Sequence, residues 1–143
     1  MEWVYDDGGR FAAGFKGEAA DCVCRAIAIA AERPYSEVYA ELAAANKASG
    51  GKRSARNRIP KKVTREYLTA RGWVWVPTMK IGQGCTVHLT PDELPSGRII
   101  CRVSKHLCAV VDGVLHDTHD CSREGTRCVY GYFTKAQCVG GGK

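Results

Sequence analysis

The dipeptide Asp112-Gly113, set between two runs rich in apolar and β-branched residues, constrains this chain more than any other feature. Asp-Gly suits the two positive-φ positions of a type I′ turn, whose twist matches that of the strands it joins. The flanking runs, His106 to Val111 and Val114 to His119, then form a hairpin in which Val111 pairs with Val114. Counting outward pairs Cys108 with Asp117 and His106 with His119. Side chains alternate between faces, so residues 106, 108 and 110 share a face with 115, 117 and 119. His106 and Asp117 are thereby diagonal neighbours within reach of one another. Asp120 points to the other face. A slip of one residue would exchange the two carboxylates, which leaves Asp117 favoured and Asp120 in reserve.

The rest of the chain reads as helices followed by strands. From Cys22 to Ala31 the residues are small and apolar, which predicts a helix buried nearly all round, with Asp21 as N-cap after Gly17 and Glu18, and Pro34 ending it. A second helix is expected over 36–45, with Val38, Leu42 and Ala45 inward. A third opens at Pro60, carries Val63, Tyr67 and Leu68 inward, and stops at Gly72. Trp73 to Val76 reads as a strand whose tryptophans pack on the sheet. Residues 77–89 show no pattern, and His88 within them reads as a surface residue. Thr90-Pro91-Asp92-Glu93 has the form of a capping box. Strands follow at 98–103, 106–111, 114–119 and about 127–133. The first fifteen residues read as an irregular segment or short strand laid against the body. The expected fold class is therefore α+β, with N-terminal helices packed on a C-terminal antiparallel sheet in one domain, 1–143. Residues 47–58 are expected to form a flexible basic loop and 139–143 a frayed tail.

The chain has 143 residues, enough to bury a core without staples. It has no run of apolar residues long enough to span a membrane and no N-terminal signal pattern, so a cytoplasmic location is expected. Its eight cysteines raise the question of a disulfide framework or zinc. Cys24, Cys101 and Cys108 sit inside apolar runs, where a free thiol acts as a small hydrophobe. There is no C-x-x-C and no H-E-x-x-H. The reading implies no cofactor and no metal, with His106, His119 and Asp117 as the conceivable exception. The net charge is +6, and eight basic residues between Lys47 and Arg65 meet no acid. That stretch is either a nucleic-acid patch or a solvated loop and helix face. It lacks the interleaved aromatics that stack bases.

Cys22 stands at the start of its helix, where the dipole lowers a thiol's pKa and first-turn N–H groups can hold an oxyanion. An imidazole fixed by a carboxylate can take the thiol's proton. The pattern Asp21-Cys22-x-x-Arg25-Ala26 on a helix, then His106-x-x-Ala109-Val110-x-Asp112-Gly113 and Asp117 on late strands, resembles a small papain-like cysteine peptidase. The likeness is to compact bacterial and phage members that resemble the C39 peptidases, and it spans about residues 15–133. It implies a papain-like fold, Cys22 as nucleophile, His106 as general base and acid, Asp117 as orienter of the imidazole, and a peptide or protein substrate. Papain-like enzymes usually carry a glutamine about six residues before the nucleophile as an oxyanion donor. Here Lys16 stands at that distance, as a substitute donor. Loss of one such donor costs about 10²–10³ in rate. The alternatives are a catalytically inactive relative that kept the fold for binding, and a basic nucleic-acid-binding protein.

Overall fold

A computed structural model describes residues 1–16 and 19–135 of the chain; Gly17, Glu18 and the tail at 139–143 lie outside the described residues. The fold is α+β. In chain order it comprises β1 (Trp3–Tyr5), α1 (Cys22–Ala31), α2 (Tyr35–Ala48), α3 (Lys61–Ala70), β2 (Trp73–Pro77), a 3₁₀ turn (Pro91–Glu93), β3 (Arg98–Val103), β4 (His106–Val111), β5 (Val114–Asp117) and β6 (Gly131–Lys135). The sheet order is β1-β5-β4-β3-β6-β2. Every pairing is antiparallel except β1 with β5, so the sheet is mixed, not purely antiparallel. No helix among the described residues is long and apolar enough to cross a membrane.

The hairpin register is the one expected: Val111 pairs with Val114, Val110 with Leu115 and Ala109 with His116. Asp112 and Gly113 take φ values of 48° and 82°, as a type I′ turn requires. The central strands read as continuous apolar runs because both sheet faces are covered. On one face α1, α2 and α3 pack against Ile100, Leu107, Ala109 and Phe133. On the other, Ile99, Cys101, Cys108, Val110 and Leu115 are covered by irregular chain bearing Leu89, Cys121 and Val129. α1 is the central helix. Its alanines let the backbone approach β4 closely, and seven of its residues are buried. Glu32, at φ 55°, ends it in a left-handed turn before Pro34 is reached.

Several local expectations are corrected. Asp21 makes no side-chain cap. It is buried, and its carboxylate accepts hydrogen bonds from Arg10 Nη1 (3.2 Å), from the Tyr35 hydroxyl (2.6 Å) and from Arg25 Nη1. The Thr90 box does not form either. Glu93 turns instead to His88, accepting its backbone N–H and lying 3.1 Å from its Nδ1. The last strand begins at Gly131 because Arg127 to Val129 pair with the crossing segment 87–89. Cys85 and Cys128 form a disulfide between these two segments, whereas Cys22, Cys24, Cys101, Cys108 and Cys121 are free. The basic loop after α2 is anchored by buried Ala55 and Ile59, and by Asn46 Nδ2 donating to the carbonyls of Lys52 and Ser54.

Two consequences follow for stability. Asp21→Ala leaves Arg10 and Arg25 buried without their shared anion, and should cost about 3–5 kcal/mol in denaturant unfolding. A loss below about 1 kcal/mol would show that the two cations find other partners. The disulfide closes a separation of 43 residues. Cys128→Ser should lower unfolding free energy by about 2–4 kcal/mol while leaving alkylation of Cys22 at the wild-type rate.

Candidate active site

Cys22 is the first residue of α1, and its thiol lies where the helix N-terminus meets the open end of β4. The β4–β5 ladder runs no further than Ala109 and His116, so the Leu107 N–H lies beyond it and is available to the thiol. Burial pushes the Cys22 pKa up. The His106 imidazole, the Leu107 N–H and the Arg25 guanidinium outweigh burial, and the thiol sits below its ordinary value. Two residues on, burial pushes Cys24 up to about 12. One helix therefore carries a thiol disposed to ionise and a thiol that stays protonated.

His106 is the first residue of β4, placed there by the tight turn at Ser104-Lys105, in which Lys105 takes a φ of 57°. Its Nε2 lies 2.6 Å from Asp117 Oδ2. Alternation puts His106 and Asp117 on the sheet face away from the helices. The imidazole nonetheless meets Cys22 because both stand at the strand's end, beyond the ladder. Burial opposes a charge on His106, but Asp117, Cys121 and Cys22 prevail and raise the pKa from 6.5 to about 11. Burial likewise opposes the Asp117 carboxylate, and His106 with the Thr118 N–H holds it below the ordinary range. The site thus sets a thiol below its ordinary pKa, an imidazole above its own and a carboxylate below its own in one row.

Asp117 is held from several sides. Its Oδ1 accepts the Thr118 N–H at 2.7 Å and lies 3.6 Å from Arg25 Nη2. Its backbone carbonyl accepts Trp3 Nε1–H and the Asp6 N–H, both at 3.0 Å. The short parallel strand β1 therefore fixes the end of β5 that carries the carboxylate. Asp120, the reserve candidate, turns away to the Ser122 N–H and hydroxyl. The negative charge of Asp21, one residue before the thiol, is paired with Arg10 and Arg25.

Lys16 lies on the Asp21 side of the site. Its carbonyl accepts Arg10 Nη2–H, and it lines a surface recess with Asp21, Arg25 and Thr118. His119 lies beside His106, with ring centroids 5.2 Å apart. It is Cys121 that joins His106 and Asp117, with its Sγ 3.7 Å from Asp117 Oδ2. The Cys108 thiol and His106 lower the pKa of Cys121. Cys121 carried no sequence signal, since it reaches the site on an irregular segment. Arg25 did carry one: it stands four residues after Asp21 on a helix, the spacing of an ion pair.

Among the described residues, His106, Asp117 and Cys121 form the one group of metal-type ligands, with donor atoms within 4.8 Å of one another. Imidazole, carboxylate and thiolate are zinc ligands. A metal there would take Nε2 and Oδ2, the atoms that hold the imidazole and carboxylate together, so metal binding and the His106–Asp117 pair exclude one another.

No protein-family model matches the chain, and no curated protein or solved structure is significantly similar to it.

His106→Gln tests the electrostatics directly. A histidine whose pKa is raised on folding adds stability that is complete below its unfolded value and is lost as pH rises through its folded value. The stability gap between wild type and His106→Gln should be widest between about pH 4 and 6.5 and should narrow toward pH 11. Denaturant unfolding at stepped pH measures it; a gap that stays flat across that interval would mean a neutral imidazole. The same variant should move the iodoacetamide alkylation profile of Cys22, read site by site by mass spectrometry, up toward an ordinary thiol near 9.0.

Proposed function

We propose that the protein is a thiol hydrolase of papain-like architecture, cleaving a peptide, isopeptide or related amide bond through an acyl-enzyme on Cys22. The observation that carries this reading is the row Cys22–His106–Asp117, with a thiol below its ordinary pKa and an imidazole above its own. Among the described residues the other thiols lack one part of that arrangement. Cys24 has burial without an imidazole, and Cys121 is buried at 3% exposure beneath the pair.

In the proposed reaction the Cys22 thiolate attacks the substrate carbonyl carbon, forming a C–S bond and moving the C=O electron pair onto oxygen. First-turn backbone N–H groups of α1 are the fixed dipoles this reading assigns to that oxyanion. The His106 imidazolium gives its proton to the leaving nitrogen as the C–N bond breaks. Neutral His106 then takes a proton from water, whose oxygen attacks the thioester carbonyl carbon; the C–S bond breaks, its electron pair returns to Cys22 Sγ, and the acid is released. Asp117 keeps the imidazole's Nε2 engaged throughout, which leaves Nδ1 for the proton shuttle. The Leu107 N–H and Arg25 supply positive potential at the thiol.

A nucleophilic thiol needs a reduced Cys22. The Cys85–Cys128 disulfide is a pairing more typical of oxidising compartments, and the cytoplasmic location expected from the sequence is not carried into this reading.

The deciding measurement is acyl-enzyme formation with an activated ester, followed by intact mass. Wild type should gain the acyl mass at Cys22, and Cys22→Ala should gain none while keeping its fold by circular dichroism. Asp117→Asn should retain the adduct but form it about 10²–10⁴ times more slowly, because the imidazole loses its tautomer and its charge partner. Acylation that persists in Cys22→Ala would remove the assignment.

A further inference from the structure

One cross-strand row of the sheet leads from the Cys22 thiol into a recess. The thiol meets the backbone of Leu107; Leu107 pairs across β4–β3 with Arg102, and Arg102 pairs across β3–β6 with Gly131. Directly paired residues share a face, and Leu107 and Phe133 place this one on the helix side. There Arg102 lines a recess of about 420 Å³ with Lys61, Lys62 and Arg65 of α3 and Trp75 of β2. Among the described residues none of these four cations lies within ion-pair distance of a carboxylate, although Arg65 rests over the Trp75 ring at 5.4 Å. Arg102 is half-buried, burial opposes its charge, and the Cys22 thiol is the group that acts to offset this. A half-buried cation gains from an anionic partner, because burying a charge is costly, and the exposed Lys61, Lys62 and Arg65 add positive potential around it.

The floor of the recess is built for a flat contact. A β-carbon at Gly131 would lie 2.4 Å from Cη2 and Cζ2 of Trp75 and 2.9 Å from the Val76 carbonyl oxygen. Only glycine lets the indole lie across β6, where it also packs on Phe133 with centroids 4.8 Å apart. The result is an aromatic wall beside four cations, one strand away from the nucleophile.

We propose that this recess is the specificity subsite of the hydrolase and takes a glutamate or aspartate side chain of the substrate, its carboxylate on Arg102 and the α3 cations and its stem on Trp75. The proposal rests on the thiol-hydrolase reading. Strands are about 4.8 Å apart and an extended peptide advances about 3.3 Å per residue, which places the acidic residue within two or three residues of the scissile carbonyl. A volume near 420 Å³ fits one or two side chains and is small for a groove that tracks a polyanion. The row also begins at a thiol, whose chemistry acts on acyl carbon, so a peptide is favoured over a nucleic acid.

The test uses acetylated tetrapeptide vinyl sulfones with glycine at the reacting position and glutamate or glutamine at each of the other three. The thiolate adds to the vinyl carbon, the adjacent carbon takes a proton, and labelling of Cys22 is followed by intact mass. At one position glutamate should react at least about tenfold faster than glutamine. That ratio should fall toward one in Arg102→Gln, in Lys61→Gln/Arg65→Gln, and in wild type at raised salt. The ratio within each variant cancels changes in intrinsic thiol reactivity. A ratio of one at every position in wild type, with Cys22 still alkylated rapidly by iodoacetamide, overturns the subsite and leaves the hydrolase reading intact. If Cys22 instead reacts as an ordinary thiol, the hydrolase reading fails. Fluorescence anisotropy with the same glutamate tetrapeptide as its amide then decides the recess: binding that is lost in Arg102→Gln sustains an acidic-peptide site, and no binding, or tighter binding of a single-stranded oligothymidylate, overturns it.

Discussion

The buried carboxylate of Asp21 is the point on which the site's geometry turns. It sits one residue before the nucleophile and binds a cation from the N-terminal segment (Arg10), a cation from its own helix (Arg25) and a hydroxyl from the next helix (Tyr35). Arg25 then reaches on to Asp117 at the end of β5. Two carboxylates share one guanidinium, so the start of α1 and the end of β5 are held at a fixed separation by a single side chain. The thiol and the imidazole lie within that span. A buried ion network is a poor source of net stability, since desolvation offsets most of its attraction, but breaking it by removing one partner is costly.

The same balance, burial against pairing, sorts the cysteines. Burial opposes a thiolate at Cys22, Cys24, Cys101, Cys108 and Cys121, and at Cys22 an imidazole, a backbone N–H and a nearby guanidinium outweigh it. Cys121 shares the imidazole from the other side. His106 therefore stands between two thiols with one carboxylate to fix it. The partition favours Cys22 for chemistry on grounds of access: Cys22 is half-exposed at a helix terminus, whereas Cys121 is closed beneath the sheet among Cys108 and Leu89.

How much of this the sequence disclosed follows from the range of each interaction. The hairpin was legible because a two-residue Asp-Gly turn fixes register, and register alone brings His106 to Asp117. α1 was legible because a run of small apolar residues interrupted only by Arg25 has few other uses. The capping role given to Asp21 failed because local capping competes with burial against partners far away in sequence, and Arg10 and Tyr35 could not be placed without the fold. The parallel pairing of β1, the arrival of Cys121 and the disulfide all depend on where irregular chain returns to the sheet. No periodicity encodes that. The basic run at 47–65 showed the opposite error: read along the chain it lacked aromatics, yet in the fold Trp75 lies beside Lys61, Lys62 and Arg65.

That last juxtaposition also gives the disulfide a structural reason beyond chain entropy. β2 is an edge strand and pairs only with β6, and these two carry Trp75 and Gly131. The chain entering β6 is braced by the Thr78 hydroxyl donating to the Val129 carbonyl and by the Thr78 N–H donating to that of Tyr130. Cys128 is tied to Cys85 one step earlier, on the segment that follows β2. An edge pair stapled at its open end keeps its twist, and a fixed twist is what holds an indole flat over a glycine. The catalytic row has its own support in Asp21, Arg25 and β1. The wall of the recess has a separate support in the stapled end of β2 and β6, so the position of the thiol and the shape of the recess answer to different parts of the sequence and can vary independently.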